Sequence, residues 1–516
     1  MSAIKILWVD DEIDLLKAQV MFLQDKGYDV EIATNGVDAI EKCRKEDYDL
    51  VFLDEHMPGL SGLETLSRIK TESPTLPVVM ITKSEEENIM DEAIGGQIED
   101  YLIKPVKPKQ VLLSIKKIID NQRLIREKTS LAYQQEFRQI FMALQEQQDY
   151  KGWADIYRKL VYWELNLERS ESEQMKEVFL QQKAEANREF FKFIQGHYLD
   201  WINGREEVPV MSHTLLKNYV LPGIGKQKPT LFLLIDNLRF DQWKVIEPLL
   251  NHYYRVEKEE LFYSILPTCT QYSRNAIFAG MLPARIRQEY PGYWIDDESE
   301  EGKNQKEEEL LLNLLARMRV DARTRYTKIT TWEGGSDLEN EMHNMLSSDL
   351  SVVIYNFVDL MSHARTEKGI LRELAGNEAA YRSITLSWFK HSPLWAGLKK
   401  LAEKKIRLII TTDHGTIRVQ SPSKVIGDRN TTSNLRYKTG KNLQYDPKDV
   451  FAVKHPEEAG LPKQHVSSSF IFAREDKYFV YPNNYNYYVN YYRNTFQHGG
   501  ISLEEMLIPY IELSPR

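Results

Sequence analysis

Ile4-Lys5-Ile6-Leu7-Trp8-Val9-Asp10-Asp11-Glu12 opens as an apolar run and ends in three acids. An unalternating run of this length fits a strand covered on both faces, as in a parallel sheet. The acids then fall at its carboxyl end, where open α/β sheets place their ligands. The pattern repeats: Leu50–Leu53 ends in Asp54, Pro77–Ile81 in Thr82, and Asp100–Ile103 in Lys104-Pro105. Helices are predicted between these strands, over Asp14–Asp25, Val37–Lys45, Gly62–Thr71, Glu86–Ile94 and Lys109–Arg123. Such alternation predicts a doubly wound α/β module over residues 1–120. Asp10, Asp11, Asp54, Thr82 and Lys104 gather at one edge of its sheet. Three carboxylates so placed repel one another unless a cation joins them, and an all-oxygen set suits Mg²⁺. Lys104 can neutralise an added anion there, and Thr82 can donate a hydrogen bond to it.

The same pattern returns in residues 208–516 with different chemistry. Leu231–Ile235 ends in Asp236-Asn237-Leu238-Arg239, and Val352–Phe357 in Val358-Asp359, with His363 four residues on. Leu408–Thr412 ends in Asp413-His414-Gly415, and His498 precedes Ile501–Met506. A further strand over Phe262–Leu266 leads through Pro267–Thr270 into a helix predicted over Ser273–Ala279. A second α/β sheet follows, with a site at its strand ends. Asp236, Asp359, Asp413, His363, His414 and His498 mix carboxylate with imidazole, which suits Zn²⁺ better than Mg²⁺, with Mn²⁺ as the alternative. Thr270 is the candidate nucleophile. Free amides at a helix N-terminus receive phosphate oxygens, and a threonine hydroxyl attacks only when it is deprotonated. Two metals roughly 3.5–4 Å apart would serve both the attacking and the leaving oxygen.

Between the two modules, residues 121–207 are rich in Gln, Glu, Lys and Arg, with apolar residues at helical spacing. Leu131, Phe137, Phe141 and Leu144 form one set, Trp153, Ile156, Leu160 and Trp163 a second, and Phe179, Phe190, Phe191 and Ile194 a third. No proline falls between 109 and 208. This reads as a helical connector of three or more helices. At 516 residues the chain has room for several domains. Its net charge of −9 argues against a nucleic-acid coat or a polybasic membrane binder. The charge is uneven: residues 1–120 hold 14 Lys+Arg and 24 Asp+Glu, net −10, which leaves the remainder nearly neutral. Two cysteines, Cys43 and Cys269, build no disulfide framework and fit a reducing compartment. The first residues carry no secretory pattern, and no apolar run approaches the ~18 residues of a membrane span. The expectation is a cytoplasmic protein without membrane contact.

The motifs also carry family resemblances. With D-D-E after the first strand, D-x-x-M-P at Asp54–Pro58, Thr82 and K-P at Lys104-Pro105, residues 1–120 resemble a two-component receiver domain. That resemblance implies that Asp54 is phosphorylated by a sensor histidine kinase. It also implies Mg²⁺ held by Asp11, Asp54 and the His56 carbonyl with help from Asp10, and switching by Thr82, Tyr101 and Lys104. The C-terminal motifs are I-D-N-L-R-x-D (235–241), L-P-T-x-T-x-x-S-R (266–274), V-D-x-x-x-H (358–363), T-T-D-H-G (411–415) and H-G-G-I-S-L-E-E-M (498–506). These resemble the PglZ branch of the alkaline phosphatase superfamily. By position, Asp236, Thr270, Asp413 and His414 would hold one Zn²⁺, and Asp359, His363 and His498 the other. Together the modules resemble PorX-like response regulators of the type IX secretion system. This implies hydrolysis of phosphodiesters such as cyclic or linear oligonucleotides, contact with a sigma factor, and a homodimer formed on phosphorylation.

Two stretches bear on substrate. Residues 421–448 carry a local charge of +4 in a polar, loop-like context, so Arg436, Lys438 and Lys441, with Arg274, are candidate substrate contacts. The tyrosine-rich run Tyr478–Tyr492 has faces for base stacking, although alternating aromatics more often pack as an edge strand. Two readings of function follow. One is a phosphorylation-controlled dinuclear zinc phosphodiesterase. The other is an adaptor whose metal-bearing domain is a platform for a sigma factor. No helix-turn-helix pattern occurs, so sequence-specific DNA binding is not expected.

Overall fold

A computed structural model describes residues 4–73, 76–83, 98–170, 173–225, 229–295, 303–330, 345, 347–356, 376–428 and 431–516, without the side chains of 120–128, 170 and 173. The chain divides into two compact units, Met1–Gln134 with Ser170–Ser172, and Gln135–Arg169 with Glu173–Arg516.

In the first unit, strands β1 (Lys5–Val9), β2 (Asp29–Ala33), β3 (Leu50–Asp54), β4 (Val78–Thr82) and β5 (Asp100–Ile103) form a parallel sheet. Their order is β2-β1-β3-β4-β5. The unalternating runs are buried on both faces, as their sequence requires. Leu7, Val9, Val51 and Leu53 pack into one apolar layer, and Ile6, Trp8, Phe52 and Ile81 into the other. The strand order reverses between β1 and β3, so Asp10, Asp11 and Asp54 open into the crevice where such sheets bind ligands. The helix Gly62–Glu72 starts at a capping box in which Ser61 and Glu64 satisfy each other's backbone N–H. The helix expected from Asp14 begins as a 3₁₀ turn, Ile13–Leu16, and becomes α-helical over Lys17–Asp25. The helix expected over Glu86–Ile94 lies outside the described residues. The one expected to end at Arg123 runs from Pro108 to Gln145, because no proline interrupts it.

In the second unit, the helices Tyr150–Ser170 and Glu173–Ile202 precede a six-stranded sheet. Its strands are β6 (Thr230–Ile235), β7 (Tyr254–Tyr263), β8 (Thr324–Ile329), β9 (Leu350–Tyr355), β10 (Arg407–Thr411) and the last strand of the chain. Strands β11 (Ile417–Arg418), β12 (Ser421–Lys424), β13 (Tyr437–Lys441), β14 (Val450–Val453), β15 (Ser468–Ala473), β16 (Lys477–Val480) and β17 (Phe496–Gln497) build three smaller sheets. The last strand is β18 (Leu507–Pro515), and the main order is β7-β18-β10-β6-β9-β8. β10, β6, β9 and β8 run parallel, whereas β18 and β7 pair antiparallel.

Three sequence expectations change here. The strand read at Phe262–Leu266 overlaps only the last two residues of the longer β7, whose charged first half is tolerated because it lies at the sheet edge. The segment read as a polar loop at 421–448 carries β12 and β13, with Tyr437–Gly440 buried. Residues Tyr485–Tyr492 form a helix, not an edge strand.

Candidate functional site

At the first sheet's crevice, Asp10 and Asp54 are buried and Asp11 is exposed. Lys104 Nζ lies 2.8 Å from Asp10 Oδ2 and 2.9 Å from Asp54 Oδ1. Burial pushes the Asp54 carboxyl up to about 6, with neighbouring Asp10 adding to the shift and Lys104 opposing it. Oxygens of Asp10, Asp11 and Asp54 lie within 4.8 Å of one another, so the three can hold a cation. Thr82 donates to the Glu55 carboxylate. The His56 side chain and Tyr101 are exposed.

The second site is set by strand register. β6 and β10 are parallel neighbours, Leu234 opposite Thr411, so the chain leaves both at the same edge. Asp236 follows β6, and Asn237 turns the backbone at φ 64°. Asp413 and His414 follow β10. The helix Thr270–Ala279 points its N-terminus at this edge, and the Cys269 side chain does not cap its first turn. Thr270 Oγ1 lies 3.1 Å from His414 Nε2 and 3.4 Å from Asp236 Oδ1. His414 Nε2 is 3.7 Å from Asp236 Oδ1 and 4.0 Å from Asp413 Oδ2. The His498 ring stacks on that of His414 with centroids 4.2 Å apart, and its Nδ1 lies 3.2 Å from the Thr268 carbonyl. Asp359 and His363 lie outside the described residues.

The electrostatics of this cluster are lopsided. Burial, then the Asp236 charge, pushes the Asp413 carboxyl far above its usual range. Burial works on Asp236 too, yet Arg274 and His414 together hold it below the usual range. Arg274 donates to Asp236 Oδ2 at 3.0 Å and to Glu307 Oε1 at 2.6 Å, so its charge is divided. Asp413 Oδ2 is buried without a hydrogen-bond partner. An orphaned carboxylate oxygen beside a second carboxylate and an imidazole is the donor set of a divalent cation. Ligand atoms of Asp236, Asp413 and His414 lie within 4.8 Å of one another. The residues therefore fit a metal ion.

The four candidate substrate contacts are placed as follows. Arg274 is buried in the ion pairs just described. Arg436 is buried against Glu505, with Nε 3.1 Å from Oε1 and the second nitrogen 2.6 Å from Oε2. Lys438 is buried and donates to the Thr432 carbonyl at 2.7 Å. Lys441 is partly exposed at the end of β13. The charges of Arg436 and Lys438 are therefore not on the surface, because β13 folds them inward. Sequence reasoning missed what Arg436 does instead. Its partner Glu505 accepts from Gly500 N at 2.9 Å and Ser502 Oγ at 2.7 Å, which fixes the loop bearing His498. The adjacent E-E of H-G-G-I-S-L-E-E-M was the available signal.

An α/β sheet with carboxylate and histidine ligands converging at its strand ends defines the class of metal-dependent hydrolases related to alkaline phosphatase. Residues 215–513 match the BREX system PglZ alkaline phosphatase-like domain, and the chain belongs to that family. Residues 6–116 match the response regulator receiver domain, and residues 123–202 the PorX response regulator linker domain, so the architecture is that of a PorX-like regulator. Among curated proteins, the chain is 36% identical over 115 residues to the transcriptional regulatory protein ResD of Bacillus subtilis, covering 22% of this chain and 48% of that protein. It is 39% identical over 117 residues to the CpxR homolog of Haemophilus influenzae, covering 22% and 50%. The chain thus spans about half the length of these relatives. Among solved structures, the Vibrio cholerae chemotaxis protein CheY4 is 28% identical, with 23% of this chain and 99% of that one covered and a TM-score of 0.22. Among the described residues, no helix is long and apolar enough to cross a membrane.

Proposed function

We propose that the chain is a cytoplasmic response regulator whose C-terminal module is a dinuclear zinc phosphodiesterase acting on cyclic or linear oligonucleotides. The carrying observation is the Thr270 hydroxyl, held between His414 Nε2 and Asp236 Oδ1 at the mouth of an uncapped helix. Thr270 is the nucleophile in this reading. Its hydroxyl lies against the ligand atoms of Asp236 and His414, so a metal held there would favour its deprotonated form, and the first-turn amides of its helix receive the phosphate oxygens. Two Zn²⁺, or Mn²⁺ in their place, would supply Lewis acidity at the attacking and leaving oxygens, one at Asp236, Thr270, Asp413 and His414 and one at Asp359, His363 and His498. Arg274 keeps Asp236 ionised.

Residues 1–120 form the regulatory module, 121–207 the connector and 208–516 the catalytic module. Asp54, which with Asp11 and the His56 carbonyl would hold Mg²⁺ while Asp10 assists, accepts phosphate from a sensor histidine kinase. Lys104, Thr82 and Tyr101 respond, the chain dimerises, and a sigma factor links it to type IX secretion. Phosphorylation shifts dimerisation only as far as the phosphoryl group prefers one conformation, so a roughly 5–150-fold change is expected.

The test is metal analysis alongside hydrolysis of monoesters, linear diesters and cyclic nucleotides, with and without beryllofluoride. About two Zn²⁺ per chain, turnover of diesters, and a dimer shift that Asp54→Ala abolishes are expected. A metal-loaded chain that turns over no diester would leave the adaptor reading in its place.

A further inference from the structure

The helix Glu173–Ile202 packs through a buried stripe that includes Lys183, Ala186, Asn187, Phe190 and Ile194. The inward stripe of a helix is ordinarily apolar, and a polar group inside it is unfavourable unless it finds a partner. Lys183 and Asn187, one turn apart, share a partner in Glu504, which is also buried and lies 317 residues beyond Asn187. Lys183 Nζ is 3.0 Å from Glu504 Oε1, and Asn187 Nδ2 donates to Glu504 Oε2 at 3.2 Å. Asn187 Oδ1 also accepts from Leu503 N at 2.8 Å. One turn of one helix therefore grips both oxygens of a carboxylate and the amide beside it.

Glu504 belongs to the short helix Leu503–Met506, which touches the backbone beside both histidines of the candidate active site. Towards His414, the Glu505 carbonyl accepts from Gly415 N at 3.3 Å. Gly415 lies so close to the Glu504 carbonyl that a Cβ there would meet it at 2.0 Å, an approach that glycine alone permits. Towards His498, the Glu505 carboxylate accepts from Gly500 N and Ser502 Oγ. A shift of this short helix therefore moves the chain next to His414 and the loop of His498 together. The helix that holds it falls within residues 123–202, which match the linker domain, and outside residues 215–513, which match the PglZ domain.

We propose that Asn187 and Lys183 are positioning residues of the metal centre: through Leu503 and Glu504 the linker helix sets the backbone that carries His414 and His498, and with it the affinity for zinc. The inference rests on the metal reading of that site but goes further, because it makes side chains of the linker part of the catalytic module. Groups that orient metal ligands without touching the ion change its affinity or the activity by about 10–100-fold when they are lost. Removing the Asn187 side chain takes the acceptor from the buried Leu503 N–H, and an unsatisfied buried donor drives the turn to shift until it finds another. Removing the charge of Glu504 loosens the same turn from the Lys183 side.

The experiment uses the full chain. Zinc affinity is read by competition with a chromogenic chelator, and amide exchange is followed by mass spectrometry on the zinc-stripped protein. Asn187→Ala is expected to weaken zinc binding roughly 10–100-fold and to speed exchange in peptides covering Gly415 and Gly500–Met506. Glu504→Gln, which keeps the side-chain volume, should weaken zinc in the same direction by less. The control is Gln182→Ala. Gln182 is buried on the same helix but donates to the Phe137 carbonyl of the helix Pro108–Gln145 at 3.0 Å. Its loss should lower the unfolding midpoint as Asn187→Ala does, and leave zinc affinity and exchange at Gly415 unchanged. Zinc affinity that is unchanged in both Asn187→Ala and Glu504→Gln, or lowered equally by Gln182→Ala, overturns the proposal. A parent chain that takes up no zinc removes the metal reading instead. Exchange then decides whether Asn187 holds the turn, and protection of Gly415 and Gly500 that survives Asn187→Ala overturns the proposal as well.

Discussion

Two clusters of acids in the second unit make an instructive pair. Asp236, Asp413 and His414 bring their ligand atoms within 4.8 Å of one another, and so do Glu164, Asp241 and Glu378. The second cluster is saturated with cations. Lys183 lies 2.9 Å from Glu164, and Arg382 lies 2.8 Å from both Glu164 and Asp241. Arg239 pairs with Asp241 and lies 2.6 Å from Glu378. Although burial works against it, Lys183 and Arg382 hold the Glu164 carboxyl down at about 2. In the first cluster the nearest fixed cation is Arg274, already shared with Glu307, and Asp413 is pushed up instead of down. Burying acids together does not make a metal site. A charge deficit that the fold leaves uncompensated does, and of these two clusters the one at the strand ends has it.

The sharpest break of this comparison is Thr270→Ala. If the under-compensated cluster is catalytic, losing the nucleophile should cost at least roughly a thousandfold in kcat, because the reaction path itself is lost. Most of the metal should stay in place, because Asp236, Asp413 and His414 still offer their ligand atoms. Thr268, two residues earlier, is the control. It is buried, donates to the Gly500 carbonyl at 2.9 Å and accepts from Gly499 N at 3.0 Å. Thr268→Ala should therefore cost about 1–3 kcal/mol of stability and much less turnover. The reverse pattern would reassign the nucleophile.

The next test sets the two clusters directly against each other. Asp413→Asn should strip metal from the strand-end site, whereas Glu164→Gln should leave metal content unchanged. Glu164→Gln takes one of two carboxylates from Lys183, which keeps Glu504 at 3.0 Å, and one of three from Arg382, which keeps Asp241 and Glu168, so a loss of about 1–3 kcal/mol is expected. Metal analysis and denaturant unfolding on both variants decide it. Metal loss in Glu164→Gln would show that the saturated cluster also binds a cation.

These clusters were unequally legible in the sequence. The strand-end acids could be read because an apolar run ending in Asp is a local signal, present in Leu231–Asp236 and Leu408–Asp413 alike. The saturated cluster was not, because Glu164, Lys183, Asp241, Arg382 and Glu504 meet only through tertiary packing across hundreds of residues. Local composition misled in two places. The basic stretch around Arg436 and Lys438 looks solvated, but strand pairing with β15 turns it inward. The run Tyr485–Tyr492 has the residues of a strand, yet its tyrosines recur at i,i+4, which aligns them on a helix.

The smallest expected effect extends the comparison from acids to cations. Arg436 and Lys438 are both buried, but Arg436 is gripped by Glu505, whereas Lys438 has the Thr432 carbonyl and the Tyr481 ring, 4.6 Å away. Burial pulls the Lys438 ammonium from 10.5 down to about 7. Between those values the unfolded chain binds a proton that the native chain lacks, so stability rises with pH across that window. Its slope is up to about 1.4 kcal/mol per pH unit. Below pH 7 both states carry the proton, and the cost of burying the charge is constant and full. Lys438→Met should flatten the rise and stabilise the protein most at neutral pH and below, as read by urea unfolding at a series of pH values. A slope that the substitution leaves unchanged would mean that the carbonyl and the ring do for Lys438 what a carboxylate does for Arg436.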